Sequence, residues 1–235
     1  MRALVAIFII NSFLLGENEL TPNWTQYGRL GSSHLQELGG LGFFRLKRIK
    51  DNSYHDIRFL GLFIPDNEIA SIRFKSSNKY NRLPQFYRFN VTSLRRNSIS
   101  GLKIRYHYNQ GVGAFLLERP FTHITSEVAL SFDASDYLNN TRKTSYLKSG
   151  FFWDLDVKKT SFAFDLEYFY QISDLFPGEP TLSRYEISAE ANIWIRKPWL
   201  LTAGYEQEFY FSKERINIRS FYLALGFKRP INWKL

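Results

Sequence analysis

The stretch Ser161-Phe162-Ala163-Phe164-Asp165-Leu166-Glu167-Tyr168-Phe169-Tyr170 decides the fold. One parity carries Phe162, Phe164, Leu166, Tyr168 and Tyr170; the other carries Ala163, Asp165 and Glu167. Side chains alternate faces along a strand, so this segment has an oily face and an acidic face. Strands of a soluble sandwich also alternate, but they are usually shorter than the segments written here. Long alternating segments rich in Phe and Tyr predict an all-β chain closed into an antiparallel transmembrane β-barrel, apolar toward lipid and polar toward its lumen.

The same rhythm extends outward on both sides. Before the quoted stretch it occupies Leu38–Lys47, Tyr54–Ile64, Ile69–Lys75, Gln85–Leu94, Ser100–Glu118, Thr122–Phe132 and Ser145–Val157. After it come Arg184–Arg196, Leu201–Phe211 and Ile216–Phe227. That makes eleven strands, whereas single-chain bacterial barrels usually have an even number. The expected count is therefore twelve, with ten next. The missing strand lies either near Trp24–Arg29 or within Ser100–Glu118, where Gly111 and Gly113 mark a bulge or a break. Asp133–Thr144 and Ser173–Ser183 read as external loops, and Val157–Thr160 and Lys197-Pro198 as tight turns. Long and short connections alternate, as they do in outer-membrane barrels.

Composition narrows the classes further. The 235 residues include 22 Phe and 14 Tyr, both good strand formers, and no Cys. The absence of Cys excludes disulfides, thiolate metal sites and a lipid-modified N-terminal Cys. Mean hydropathy is slightly negative, which argues against a helical membrane protein but not against a barrel. The net charge of +9 is dispersed along the chain without a Lys/Arg-rich block. Nucleic acid is thus not an expected partner, and membrane lipid or small solutes fit better.

Arg2 followed by the largely apolar Ala3–Leu15 and then Gly16-Glu17 matches a secretory signal in length and flanks. Residues 1–16 are read as a signal peptide, 17–33 as a mature N-terminal lead, 34–228 as the barrel and 229–235 as a C-terminal tail.

The inward parity sorts by charge. Arg45, Lys47, Arg58, Arg73, Lys75, Arg88 and Arg105 fall on early strands. Glu127, Asp154, Asp156, Asp165, Glu167, Glu186, Glu190, Glu206 and Glu208 fall on later ones. One lumen wall is then basic and the facing wall acidic. This arrangement gives either a salt-bridged polar core or a transverse field across a water-filled pore. His107 and His123 are the groups on which a lipid hydrolase would have to rest, but no Gly-x-Ser-x-Gly turn accompanies them. Asp154/Asp156 and Glu206/Glu208 are too commonplace in alternating strands to predict Ca²⁺ binding. No metal, cofactor or catalytic residue is expected.

Near the C-terminus Phe221, Leu223, Leu225 and Phe227 alternate and end on an aromatic residue, like the terminal-strand signal read by barrel-insertion machinery. Trp194, Trp199 and Trp233 are candidates for interfacial aromatic belts. Arg105-Tyr106-His107-Tyr108, Gly111-Val112-Gly113, Ser126-Glu127-Val128-Ala129-Leu130 and Leu223-Ala224-Leu225-Gly226-Phe227 carry a wider likeness. From about Arg88 onward the chain resembles an uncharacterised family of bacterial outer-membrane β-barrels often labelled salt-induced outer-membrane proteins. The resemblance implies a single barrel in the outer membrane and no established chemistry. The expected role is structural or that of a small-solute channel. The alternatives are a lipid-modifying hydrolase and a barrel whose external loops bind a protein partner.

Overall fold

The computed structural model describes residues 24–35, 37–99, 102–137, 140–175, 180–212 and 217–231. The expected signal peptide, residues 1–16, lies outside the described residues, as does Trp233. Twelve strands follow in chain order: β1 Trp24–His34, β2 Leu38–Lys50, β3 Ser53–Ile64, β4 Asn67–Lys79, β5 Phe86–Asn97, β6 Leu102–Arg119, β7 Thr122–Tyr137, β8 Asn140–Val157, β9 Thr160–Gln171, β10 Arg184–Arg196, β11 Trp199–Tyr210 and β12 Ile218–Ile231. Each pairs antiparallel with its sequence neighbours, and β1 pairs with β12 from Trp24↔Ile231 to His34↔Phe221. The sheet is therefore a closed barrel with no free edge, which lets every strand satisfy its backbone in lipid.

The twelfth strand is β1. Trp24–His34 forms the seam of the barrel instead of a polar lead, so the barrel begins at Trp24 and not at residue 34. At the other end β12 runs to Ile231 and takes in three residues of the expected tail. Gly111 and Gly113 do not divide a strand, because β6 is continuous over 18 residues. Its extra length is absorbed by register shifts between Leu102/Ile104 and Phe115/Leu117.

Asp133–Thr144 is also not a loop. β7 continues to Tyr137 and β8 starts at Asn140, whereas β9 ends where Gln171 pairs with Tyr146. The β7–β8 hairpin thus rises beyond its neighbour. A hairpin clear of lipid needs no oily face, which is why its polar sequence reads as a loop. The segment between β9 and β10, which includes the expected Ser173–Ser183 loop, has no strand among its described residues.

Burial reverses the order of a soluble protein. Lys148, Glu127 and Arg184 are at most 1% exposed, while Leu30, Phe221 and Leu223 are 55% or more exposed. A β-sandwich buries its oily parity and solvates the polar one. Here the oily parity is the outer wall, so a solvent of hydrocarbon outside accounts for the pattern. Aromatic pairs flank the aliphatic band at both ends. Trp199 packs on Phe227 and Trp153 on Phe162 near the terminus end, with ring centres 5.6 and 5.5 Å apart. Tyr168, Tyr185 and Phe211 pack together near the loop end. Such girdles mark the two interfaces of a transmembrane barrel. Trp194 belongs to neither, since it shares the inward parity of Asn192 and lies under the Lys228 ammonium at 5.7 Å.

Candidate functional site

The inward side chains of the barrel form a lumen filled largely by ion pairs. Several of those pairs, such as Arg29–Glu190, Lys75–Glu127 and Arg95–Glu208, connect strands that are not neighbours in the sheet, which places them inside the ring. At β1 and β10, Arg29 grips both oxygens of Glu190 at 2.5 and 2.6 Å. Asn192 donates to Glu190 at 2.7 Å, while Tyr27 and Thr202 donate to Asn192. On the β2–β3 hairpin, Asp56 accepts both nitrogens of an Arg45 fork at 2.9 Å, Arg58 at 2.8 Å and the Tyr54 hydroxyl at 2.9 Å. A bidentate guanidinium–carboxylate pair fixes orientation as well as charge.

In the centre, Glu127 accepts Lys75 at 2.5 Å and Tyr87 at 3.0 Å and pairs with Lys148 at 3.4 Å. Lys148 also pairs with Glu167. Both ammonium groups sit over the rings of Phe89 and Phe152, 5.0–5.5 Å from their centres. These inward aromatics desolvate the cations while attracting them through the ring faces.

Toward the loop end Glu208 is shared by three guanidinium groups, Arg95 and Arg105 at 3.1 Å and Arg184 at 3.5 Å, and it accepts the Tyr210 hydroxyl at 2.5 Å. β5 and β11 lie on opposite sides of the ring, so Arg95–Glu208 crosses the lumen. Arg184 also pairs with Glu186 at 2.7 Å and Asp133 at 3.4 Å. His107 bonds Asp133 through Nδ1, and its Nε2 faces the Asn109 amide at 3.0 Å. Its ring lies inside the barrel, edge-on to Phe169. Both ring nitrogens are engaged, and among the described residues neither bonds a hydroxyl.

The sequence-selected charges divide as follows. Arg105, Glu127, Glu167, Glu186, Glu190 and Glu208 are ion-paired in the network just described. Arg73 faces an internal cavity of about 140 Å³. Asp165 feels the charges of Arg58 and Arg73, and Glu206 that of Arg95, without an ion pair among the described residues. Asp154 lies toward the terminus end on the inward parity of Lys148, and Asp156 sits exposed at the rim beside the β8–β9 turn. Arg88 points the other way. It is exposed, registers with the outward Val112, and alternates with buried Tyr87, Phe89 and Val91. On β5 the oily parity faces inward, because Phe89 and Tyr87 are needed as partners for Lys75, Lys148 and Glu127.

Six charged network members lie outside the sequence selection: Arg29, Asp56, Arg95, Asp133, Lys148 and Arg184. Lys148 and Arg184 had a usable signal, since each lies on the inward parity of its strand, with Asp154 and Glu186 respectively. Arg29 and Asp133 were hidden by the assignment of their segments to lead and loop.

The fold and the inverted wall define a transmembrane β-barrel of the outer-membrane type. Among solved structures, the NanC porin matches with a TM-score of 0.58 at 7% identity, covering 86% of this chain and 98% of that one. The translocator domain of the autotransporter NalP from Neisseria meningitidis gives 0.52 at 10% identity, covering 96% and 97%. An outer-membrane channel from Pseudomonas putida F1 gives 0.52 at 10% identity, covering 92% and 100%. No family model matches the sequence, and no curated protein matches it significantly. Likeness at these identities is a likeness of fold. The salt-induced family label has no support beyond that shared barrel.

Proposed function

We propose that the chain is exported on residues 1–16, inserted into the bacterial outer membrane, and acts there as a narrow channel for small hydrophilic solutes. The observation that carries this reading is the unfilled space in the lumen: beside the ion pairs, a cavity of about 140 Å³ bordered by charged side chains remains where a fully packed barrel would leave none. The alternation of Phe221, Leu223, Leu225 and Phe227 is the feature that insertion machinery would read, and membrane lipid is the constant partner of the outer wall. The reading involves no covalent chemistry: His107 is committed to Asp133 and Asn109 within the lumen, away from lipid.

A structural, non-conducting barrel is the second reading, and the cross-lumen pair Arg95–Glu208 favours it. Planar-bilayer recording separates the two. A channel gives small, discrete steps from protein whose gel mobility shifts on boiling. The same heat-modifiable protein giving no steps contradicts the channel and leaves the structural barrel.

A further inference from the structure

The cavity inside the barrel has an uneven lining. Arg73, Arg95, Arg105 and Arg184 border it, against two carboxylates, Glu167 and Glu186. Both of these are already engaged, Glu167 by Lys148 and Glu186 by Arg184. Behind the wall a single carboxylate, Glu208, serves Arg95, Arg105 and Arg184 together. Arg73 stands apart from the other three. It has no ion pair among the described residues, and its acidic neighbours Asp165 and Glu167 act on it only at longer range. Each guanidinium carries five N–H donors and no acceptor. Those of Arg95, Arg105 and Arg184 are turned to Glu208, Glu186 and Asp133, whereas Arg73 borders the cavity without a paired acid among the described residues. The hydroxyls of Ser71 and Ser93 add further polar groups to the same wall.

We propose that this cavity is a binding site for a small oxyanion, a phosphate or a carboxylate, with Arg73 as the group that meets it. Guanidinium forks match the paired oxygens of such anions, and the partly enclosed setting strengthens the contact. At about 140 Å³ the space is close to that of an apolar cavity known to accept benzene, so an ion of a few heavy atoms fits. The inference rests on the reading of the lumen as a route for solutes, and it deepens that reading by naming the class of solute held.

The test is calorimetric titration of the folded, detergent-solubilised barrel with inorganic phosphate and, separately, with acetate. The expected result is saturable binding of at least one, weakened tenfold or more in Arg73→Gln and partly retained in Arg73→Lys. Arg88→Gln removes the same charge from the outer wall and is expected to bind as the unmodified protein does. Gel mobility before and after boiling reports whether each variant is folded, and Arg73→Lys carries the comparison if Arg73→Gln is not. Absence of binding by both ions overturns the site, as does equal weakening in Arg73→Gln and Arg88→Gln. Because binding is read without a membrane or a current, the two readings fail separately. Conductance without binding removes the oxyanion site; binding without conductance removes the channel.

Discussion

Lys148 has a fully buried side chain and holds two carboxylates, Glu127 and Glu167, which are nearly as buried. Removing one partner of a buried charge pair leaves the other uncompensated, at a cost of about 3–5 kcal/mol. Lys148→Met is therefore expected to destabilise the barrel on that scale in urea titrations. Adding Glu167→Gln should restore part of the loss, since the orphaned charge goes with it. A double variant no more stable than Lys148→Met contradicts the pairing. Arg88 and Arg105 give a second contrast of single residues. An Arg facing lipid costs about 2–4 kcal/mol at mid-membrane and about 0–1 near an interface. Arg88 is two residues from the start of β5, so Arg88→Leu should be neutral or gain up to about 1 kcal/mol. Arg105→Leu strips Glu208 of one of its three cations and should lose stability in the same assay. Equal signs for the two would mean that β5 has been assigned the wrong face.

At the scale of strands, close cross-strand packing depends on glycine at two registered positions. Tyr87 on β5 lies opposite Gly113 on β6, and Tyr222 on β12 lies opposite Gly204 on β11. A Cβ at Gly204 would fall 2.0 Å from the Tyr222 ring, and one at Gly113 would fall 2.3 Å from the Tyr87 ring. An aromatic ring folded over a glycine in the next strand covers the backbone that the glycine leaves bare. Gly204→Val should displace Tyr222 from Glu190, which it approaches at 3.3 Å, and lower the temperature at which the heat-modifiable form is lost. An unchanged transition temperature would mean that the ring swings away without cost. Most strands were legible in the sequence because lipid on one side and polar groups on the other enforce strict alternation. β1 was obscured by Gly28, Gly31, Ser32 and Ser33, which dilute its pattern. β5 was located correctly but turned inside out, because a strand with three oily inward residues has the same period as one facing lipid. The polar hairpin from Asp133 to Thr144 was missed because outside the membrane neither face has to be apolar.

Over the whole molecule, charge organises the interior and hydrocarbon the exterior. β2–β6 contribute most of the lumen cations and β7–β11 most of the acids, and the pairs Lys75–Glu127, Arg95–Glu208 and Arg105–Glu208 join the two walls. The two-wall division was legible from the order of charges along the chain. The partnering was not, because which Arg meets which Glu depends on barrel shear and on side chains such as Asp56 and Lys148 that interrupt the division. The central claim is that, β5 apart, the oily parity faces lipid and the charged parity faces inward, and β12 tests it most directly. The chain has no Cys, so single cysteines can be introduced without a background. Nitroxide labels on Phe221→Cys, Leu223→Cys and Leu225→Cys, compared with Ser220→Cys, Tyr222→Cys and Ala224→Cys in lipid vesicles, report collisions with oxygen and with a water-soluble nickel chelate. The expected result is a period of two, with oxygen favoured at 221, 223 and 225 and restricted collision at the positions between them. Preferential access of the nickel chelate to 221, 223 and 225 would mean that the apolar wall faces water, and would contradict the transmembrane barrel.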